Sequence, residues 1–275
     1  MKSKCKHRML GVLITTLMLF LIPLQSQAEQ PAGEDHTAAA LKAVTEGKHR
    51  PDADKARDPY RHPLETLTWF GIKENMTAVE IWPGGGWYTD ILAPFLKEHG
   101  TYYAAVSENA QPFRDKLATK PELYSKIIVT ELAPPTKVDV APAGSADRVL
   151  TFRNVHNWMN RGYAEDVFKA MYRALKPGGI LGLVEHRGNP AVPQDPKALS
   201  GYVTEEYVIK LAEAAGFKLV ARSEINANPK DTKDHPQGVW TLPPTLRLKD
   251  VDRDKYLAMG ESDRMTLKFM KPVAQ

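Results

Sequence analysis

The sequence predicts an α/β fold whose parallel sheet carries helices on both faces, and three observations predict it. Thr77–Thr89, TAVEIWPGGGWYT, reads as a strand, a glycine turn and the start of a helix. Strand-like and helix-like runs then alternate along the chain, the pattern of a parallel sheet built from crossover units. A length of 275 residues, 43% of them hydrophobic and 25% charged, suits one such domain with extensions.

The elements follow in order. Asp58–Arg61 and Pro63–Trp69 predict a helix that ends at Gly71, with Asp58 as N-cap and Pro59 at the first helical position, or with a second start at Pro63. Val79 and Ile81 supply β-branched residues for the first strand, Glu80 sits near its carboxyl end, and Pro83 with Gly84, Gly85 and Gly86 makes a loop open to a ligand. Thr101–Val106 reads as the second strand, Phe113–Leu117 as part of a helix, and Ile127–Thr130 as the third strand. Asp147–Phe152 is the fourth strand. Val167, Phe168, Met171 and Leu175 recur at helical spacing in Glu165–Leu175, and Lys176-Pro177-Gly178-Gly179 reads as the stop and turn before a fifth strand, Ile180–Glu185. Thr204 caps a helix over Tyr207–Ala215, Phe217–Val220 begins another strand, and Met265–Lys271 is the last. The proline-rich connections Ala133–Ala143 and Gly188–Ala198 read as ordered surface loops.

The glycine loop narrows the ligand. A dinucleotide fingerprint needs a third glycine where Thr89 stands, and no Gly-Lys-Ser/Thr follows as a P-loop requires. The segment resembles the first motif of class I S-adenosylmethionine-dependent methyltransferases: Glu80, then Gly84 and Gly86 at the family's steps. Trp82 departs from that pattern, standing where the family usually has its first glycine. Arg153-Asn154-Val155-His156-Asn157-Trp158 is similar to the substrate-side motif of ubiquinone-type methyltransferases, and ALKPGGILGLVEH is the most family-like string. The resemblance implies a Rossmann-like doubly wound sheet of seven strands with an antiparallel last strand, a helical extension before it, and S-adenosylmethionine as cofactor.

It also implies site residues. The cofactor contacts would be Glu80, Trp82, Gly84, Gly85, Gly86, Tyr88 and Thr89. The second strand should end in an acid for the ribose hydroxyls; Ser107 occupies that slot and Glu108 comes next, so Glu108 is the candidate. His156 and Asn154 follow the fourth strand, facing donor and acceptor, and an imidazole there can take a proton from an oxygen or nitrogen nucleophile. His186 ends the fifth strand on the same face. Tyr60 and Arg61 would belong to a lid. Each has a plainer reading as well: Glu80 as an acid that only orients the loop, Tyr88 and Thr89 as packing and capping residues, His156 as a hydrogen-bonded loop residue. His156, Glu185 and His186 lack the sequence spacing of a metal site, so no metal is expected.

Lys2, Lys4, Lys6 and Arg8, the apolar run Met9–Ile22 and the small residues Ser26-Gln27-Ala28 predict a secretory signal peptide cleaved after Ala28. The run of about 14 residues is short of the roughly 20 that span a bilayer, so no stable membrane anchor is expected after cleavage. Without the leader the chain has 33 basic residues against 33 acidic ones and no cysteine. That balance points to a small-molecule partner rather than nucleic acid, and it excludes thiolate chemistry and disulfides. The expected organisation is therefore leader 1–28, helical extension or lid 29–75 and methyltransferase-like domain 76–275, in a periplasmic or secreted protein. Two functions compete: methyl transfer from S-adenosylmethionine to a small acceptor, or metabolite binding on a reused fold, because S-adenosylmethionine is made in the cytoplasm and a fold is not a function.

Overall fold

The computed structural model describes residues 32–273, so the expected leader lies outside the described residues. Four helices come first: α1 (Ala32–Thr45), α2 (Asp52–Lys55), α3 (Asp58–Arg61) and α4 (Pro63–Phe70). Next come β1 (Thr77–Ile81), α5 (Thr89–Leu96), β2 (Thr101–Val106), α6 (Gln111–Thr119), α7 (Pro121–Tyr124), β3 (Ile128–Glu131) and β4 (Ala146–Phe152). The chain continues through α8 (Val155–Arg161), α9 (Ala164–Ala174), β5 (Leu175–His186), α10 (Glu205–Ala214), β6 (Lys218–Ser223), α11 (Arg253–Met259) and β7 (Arg264–Met270).

The seven strands order as β3-β2-β1-β4-β5-β7-β6. β1, β2, β3, β4 and β5 pair in parallel, and β7 runs antiparallel between β5 and β6. This is the doubly wound sheet with an antiparallel last strand that the sequence predicts. One face buries Val79, Ile81, Val149 and Leu181 against Trp158, Phe168 and Met171 of α8 and α9. The other buries Ala78, Ala104 and Leu150 against Leu41 of α1, Leu67 and Phe70 of α4, and Ile91 and Phe95 of α5. With both faces covered, the central strands are apolar throughout instead of alternating.

One local reading is refined and another partly corrected. Strand β5 starts at Leu175, directly after α9, but its pairing with β4 jumps from Ala146–Leu175 to Arg148–Ile180, so Lys176-Pro177-Gly178-Gly179 loops out of that ladder as the expected turn, with Gly178 at φ +78° and its N–H donated to the Lys271 carbonyl (2.8 Å). The region of Asp58 is two helices, the second starting at Pro63 as the alternative reading has it, and not one continuous helix. His62 takes the left-handed conformation (φ +41°) before Pro63, and a residue preceding proline is disfavoured in the right-handed helical region. Asp58 does not cap α3 through its side chain; its carboxylate forms a two-pronged pair with the buried Arg50 guanidinium, 2.8 Å at each contact.

Candidate functional site

The carboxyl ends of β1, β2, β4 and β5 converge on the glycine loop, the ligand position of open α/β sheets. Gly84 (φ +59°) and Gly86 (φ +78°) need the left-handed backbone that glycine adopts without a steric penalty. At Gly84 and Gly85 no atom lies within 4 Å of where a Cβ would sit, so the loop presents bare main chain to open space. Lys116 of α6 holds the loop from behind, its Nζ donating to the carbonyls of Gly85 (3.0 Å) and Gly86 (3.1 Å) and pairing with Asp90.

Two cavities meet along this loop and share Trp82, Pro83, Gly84, Gly85 and Asn154 as lining. The smaller, ≈ 260 Å³, lies over the end of β2 against Val106, Ser107, Asn109, Ala110 and Phe113. The larger, ≈ 350 Å³, lies over the ends of β4 and β5 and adds Arg57, Arg61, Arg153, His156, His186 and Trp240. A roomier cavity of ≈ 670 Å³ lies elsewhere, between residues 187–194 and 204–210, and touches none of these groups except the chain next to His186.

Asn154 ties the two halves together: its Nδ2 donates to the carbonyls of Ile81 (2.9 Å) and Trp82 (3.2 Å). Trp82 itself adopts φ +48°, which explains why a glycine suits this position. Its indole N–H donates to the Leu132 carbonyl (3.0 Å), its ring meets the edge of Trp158, and the Arg161 guanidinium lies over its face. The wide side chain is thereby anchored to the end of β3 and to α8.

His156 and His186 stand together on the wall of the larger cavity, ring centroids 5.3 Å apart. The buried Glu185 carboxylate orients His156. Its Oε1 lies 3.0 Å from Nδ1 and accepts the His186 backbone N–H (2.7 Å), while Oε2 accepts the His156 backbone N–H (3.3 Å). With Nδ1–H donating to the carboxylate, Nε2 is the free basic atom. His186 is different: its Nδ1 meets the Ser262 hydroxyl (2.5 Å), and burial, then the neighbouring His156 and Arg264, hold its pKa well below the ordinary histidine value. Ligand atoms of His156, Glu185 and His186 all lie within 4.8 Å of one another, a grouping that their sequence spacing does not reveal.

The remaining sequence candidates are placed as follows. Glu80 lines neither cavity. Its carboxylate, 2% exposed, accepts from Thr89 Oγ1 (2.9 Å) and from the Tyr102 hydroxyl, and burial raises its pKa to about 7 against the lowering effect of those two hydrogen bonds. Thr89 is therefore a partner of Glu80 inside the protein. Tyr88 is also buried, its ring stacked on Phe152. Gly86 packs behind the loop against Phe113 and Lys116. Glu108 points to the surface, where it pairs with Arg161 (2.8 Å), so no acid from the end of β2 faces the smaller cavity. Arg61 lines the larger cavity, whereas Tyr60 is 43% exposed and packs beside Gly260.

Several lining residues were not nominated from the sequence. Arg57, at the start of α3, lies four residues before Arg61 and so shares its helical face. Arg153 stands inside the quoted Arg-Asn-Val-His motif. Trp240, whose ring lies 6.0 Å from that of His156, comes from the insertion at 230–244, which has no readable pattern.

No protein-family profile and no curated protein matches this sequence. Solved structures do match in fold. A SAM-dependent methyltransferase from Aquifex aeolicus superposes with a TM-score of 0.55 at 16% identity, over 85% of this chain and 98% of that one. Phosphoethanolamine N-methyltransferase 2 of Haemonchus contortus, solved with S-adenosyl-L-methionine, gives 0.52 at 15% identity, over 87% of this chain and 57% of that one. The cyclase SpnF gives 0.53 at 16% identity, over 88% and 95%. The fold is that of the class I S-adenosylmethionine-dependent methyltransferases. At these identities the likeness concerns the fold alone, and SpnF carries it under a different activity.

Proposed function

We propose that the protein is an S-adenosylmethionine-dependent methyltransferase acting on a small-molecule acceptor. The observation that supports this best is the pair of cavities divided by one bare glycine loop, with an oriented histidine on the far wall of the larger. The smaller cavity would take the adenosine: Val106, Ala110 and Phe113 offer apolar surface, and Ser107 and Asn109 offer polar edges. Gly84 and Gly85 leave the main chain accessible for the cofactor's amino-acid portion. S-adenosylmethionine supplies an electrophilic methyl group on a sulfonium.

The chain's own residues then position and deprotonate the acceptor. Methyl transfer depends mainly on in-line placement of the two partners, and Asn154 fixes the end of β4 against the loop so that the two cavities keep a constant relation. Glu185 holds the His156 ring with Nε2 free, and Nε2 takes the acceptor's proton. Export to the periplasm or beyond belongs to the same proposal and rests on the leader-like residues 1–28. Among the described residues, no helix is long and apolar enough to cross a membrane.

Trp82 and the outward-facing Glu108 favour a second reading, a metabolite-binding or otherwise employed protein on the same fold. Calorimetric titration with S-adenosylmethionine and S-adenosylhomocysteine separates the two. Micromolar binding, lost in Gly84→Val without loss of fold by circular dichroism, supports methyl transfer. No binding to folded protein, or binding intact in Gly84→Val, removes the cofactor-loop assignment.

A further inference from the structure

The wall of the larger cavity holds far more positive charge than the chain balances. Glu261 receives Arg57 Nε at 2.6 Å on Oε1, and Arg61 Nε (3.5 Å) and Arg264 Nη2 on Oε2. A fourth guanidinium, that of Arg153, makes no hydrogen bond or ion pair among the described residues, yet it lines the cavity. Glu185 is close by, but its oxygens are taken by His156 and two backbone N–H groups, and Asp54 stands at the mouth. Four guanidiniums thus surround one engaged carboxylate.

Donors are left over as well. Arg61 Nη1, Arg57 Nη2 and Arg264 Nε are buried without a partner, and Arg61 is only 3% exposed. Unpaired buried donors are costly and rare in folded proteins, and three of them on neighbouring guanidiniums call for a partner such as a bound anion. The guanidiniums resist their own charge: burial, followed by repulsion from Arg153, lowers Arg61 to about 8, and burial, followed by repulsion from Arg264, lowers Arg153 to about 10. The arrangement is nevertheless held rigidly. Arg61 lies over the Trp87 ring, 4.6 Å from its centroid, and Arg153 occupies a left-handed backbone position (φ +61°) fixed by its N–H to the Val184 carbonyl (2.7 Å). Strain at a non-glycine residue on a cavity wall is a mark of a built site.

We propose that Arg153, Arg57 and Arg61 recognise an anionic group, phosphate or carboxylate, on the acceptor. The inference rests on the reading of the larger cavity as the acceptor side. Planar guanidiniums match the oxygens of either group, and the ligand's charge offsets the repulsion among them. S-adenosylmethionine does not fill this role, because its one carboxylate is accompanied by an ammonium and a sulfonium. The same field opposes a cation at His156, Glu185 and His186.

The test is calorimetric titration of the full chain with inorganic phosphate and, separately, with succinate, at low salt, with and without saturating S-adenosylhomocysteine. The expected result is binding of at least one anion, weakened tenfold or more in Arg153→Met and unaffected by S-adenosylhomocysteine; the tighter of the two anions identifies the headgroup. Arg57→Met, read the same way, serves if Arg153→Met does not fold. No anion binding by the unmodified protein, or equal binding by the folded variant, overturns the inference. So does displacement of the anion by S-adenosylhomocysteine, which assigns the arginines to the cofactor's carboxylate. Anion binding by a protein that binds neither S-adenosyl compound keeps the anion site and refutes methyl transfer alone.

Discussion

Replacing Glu80 by glutamine should flatten the pH dependence of stability above pH 5. Glu80 is buried beneath the glycine loop with Thr89 and Tyr102 as its partners, and its pKa in the folded protein is about 7 against 4.5 for a free side chain. The folded state therefore retains a proton that the unfolded chain releases. The resulting stabilisation is fully present below pH 4.5 and is lost as the pH rises through 7. Between pH 5 and pH 8 the unmodified protein should lose about 2 to 3 kcal/mol more than Glu80→Gln, whose amide does not titrate. His186 acts in the opposite sense, because its lowered pKa makes stability fall as the pH drops below 6.5. It is common to both proteins and cancels in the difference. Urea unfolding followed by far-ultraviolet circular dichroism at pH 5, 6, 7 and 8 measures the effect. Parallel curves for the two proteins would refute the reasoning, since they would mean that Glu80 is ionised in the folded state as readily as in water.

Three further outcomes are expected. Glu261→Gln leaves Arg57, Arg61 and Arg264 without their carboxylate and should cost about 3 to 5 kcal/mol in urea unfolding at pH 7. In the unmodified protein burial raises the Glu261 pKa, but the three guanidiniums bring it down to about 2, so its contribution is present above pH 4.5 and lost as the pH falls through 2; acid titration of the variant should lack that component. Gly182→Ala would set a Cβ 2.6 Å from the buried Phe70 ring, and the melting temperature should fall by the equivalent of about 1 to 3 kcal/mol. His156→Ala should reduce methyl transfer by roughly 10²- to 10⁴-fold while S-adenosylhomocysteine affinity, measured by calorimetry, stays unchanged.

The fold was legible where backbone chemistry is local. Thr101–Val106 shows a β-rich run bounded by glycine and polar residues, and the observed β2 has those limits. Val79 and Ile81 mark β1 just as directly. The glycine loop was legible for the same reason, because positive φ and an empty Cβ position demand glycine. Lys176–Gly179 was legible too, since proline and glycines signal a turn and these residues loop out of the β4–β5 pairing; what stayed hidden is that β5 already begins at Leu175 and that Gly178 pairs with Lys271, about ninety residues away. The arginine cage was hidden for a related reason. Arg57 and Arg61 meet Glu261 across 204 and 200 residues, and no spacing in a sequence encodes such a meeting. Glu80 shows the converse: its place at the strand end was readable, but whether the carboxylate faced ligand or protein depended on Tyr102, a neighbour supplied by β2.

The position of β7 has a consequence for how the protein is made. β7 is inserted between β5 and β6, and Glu261 and Arg264 lie at its entrance, so residues synthesised after both neighbouring strands occupy the interior of the sheet and the centre of the cationic wall. A nascent chain can assemble β1 to β5 and display its glycine loop while Arg57 and Arg61, made much earlier, still lack their counter-ion. The wall closes only when residues beyond 260 have left the ribosome. A product truncated before β7 would keep the glycine loop while Arg57 and Arg61 went without Glu261, their counter-ion.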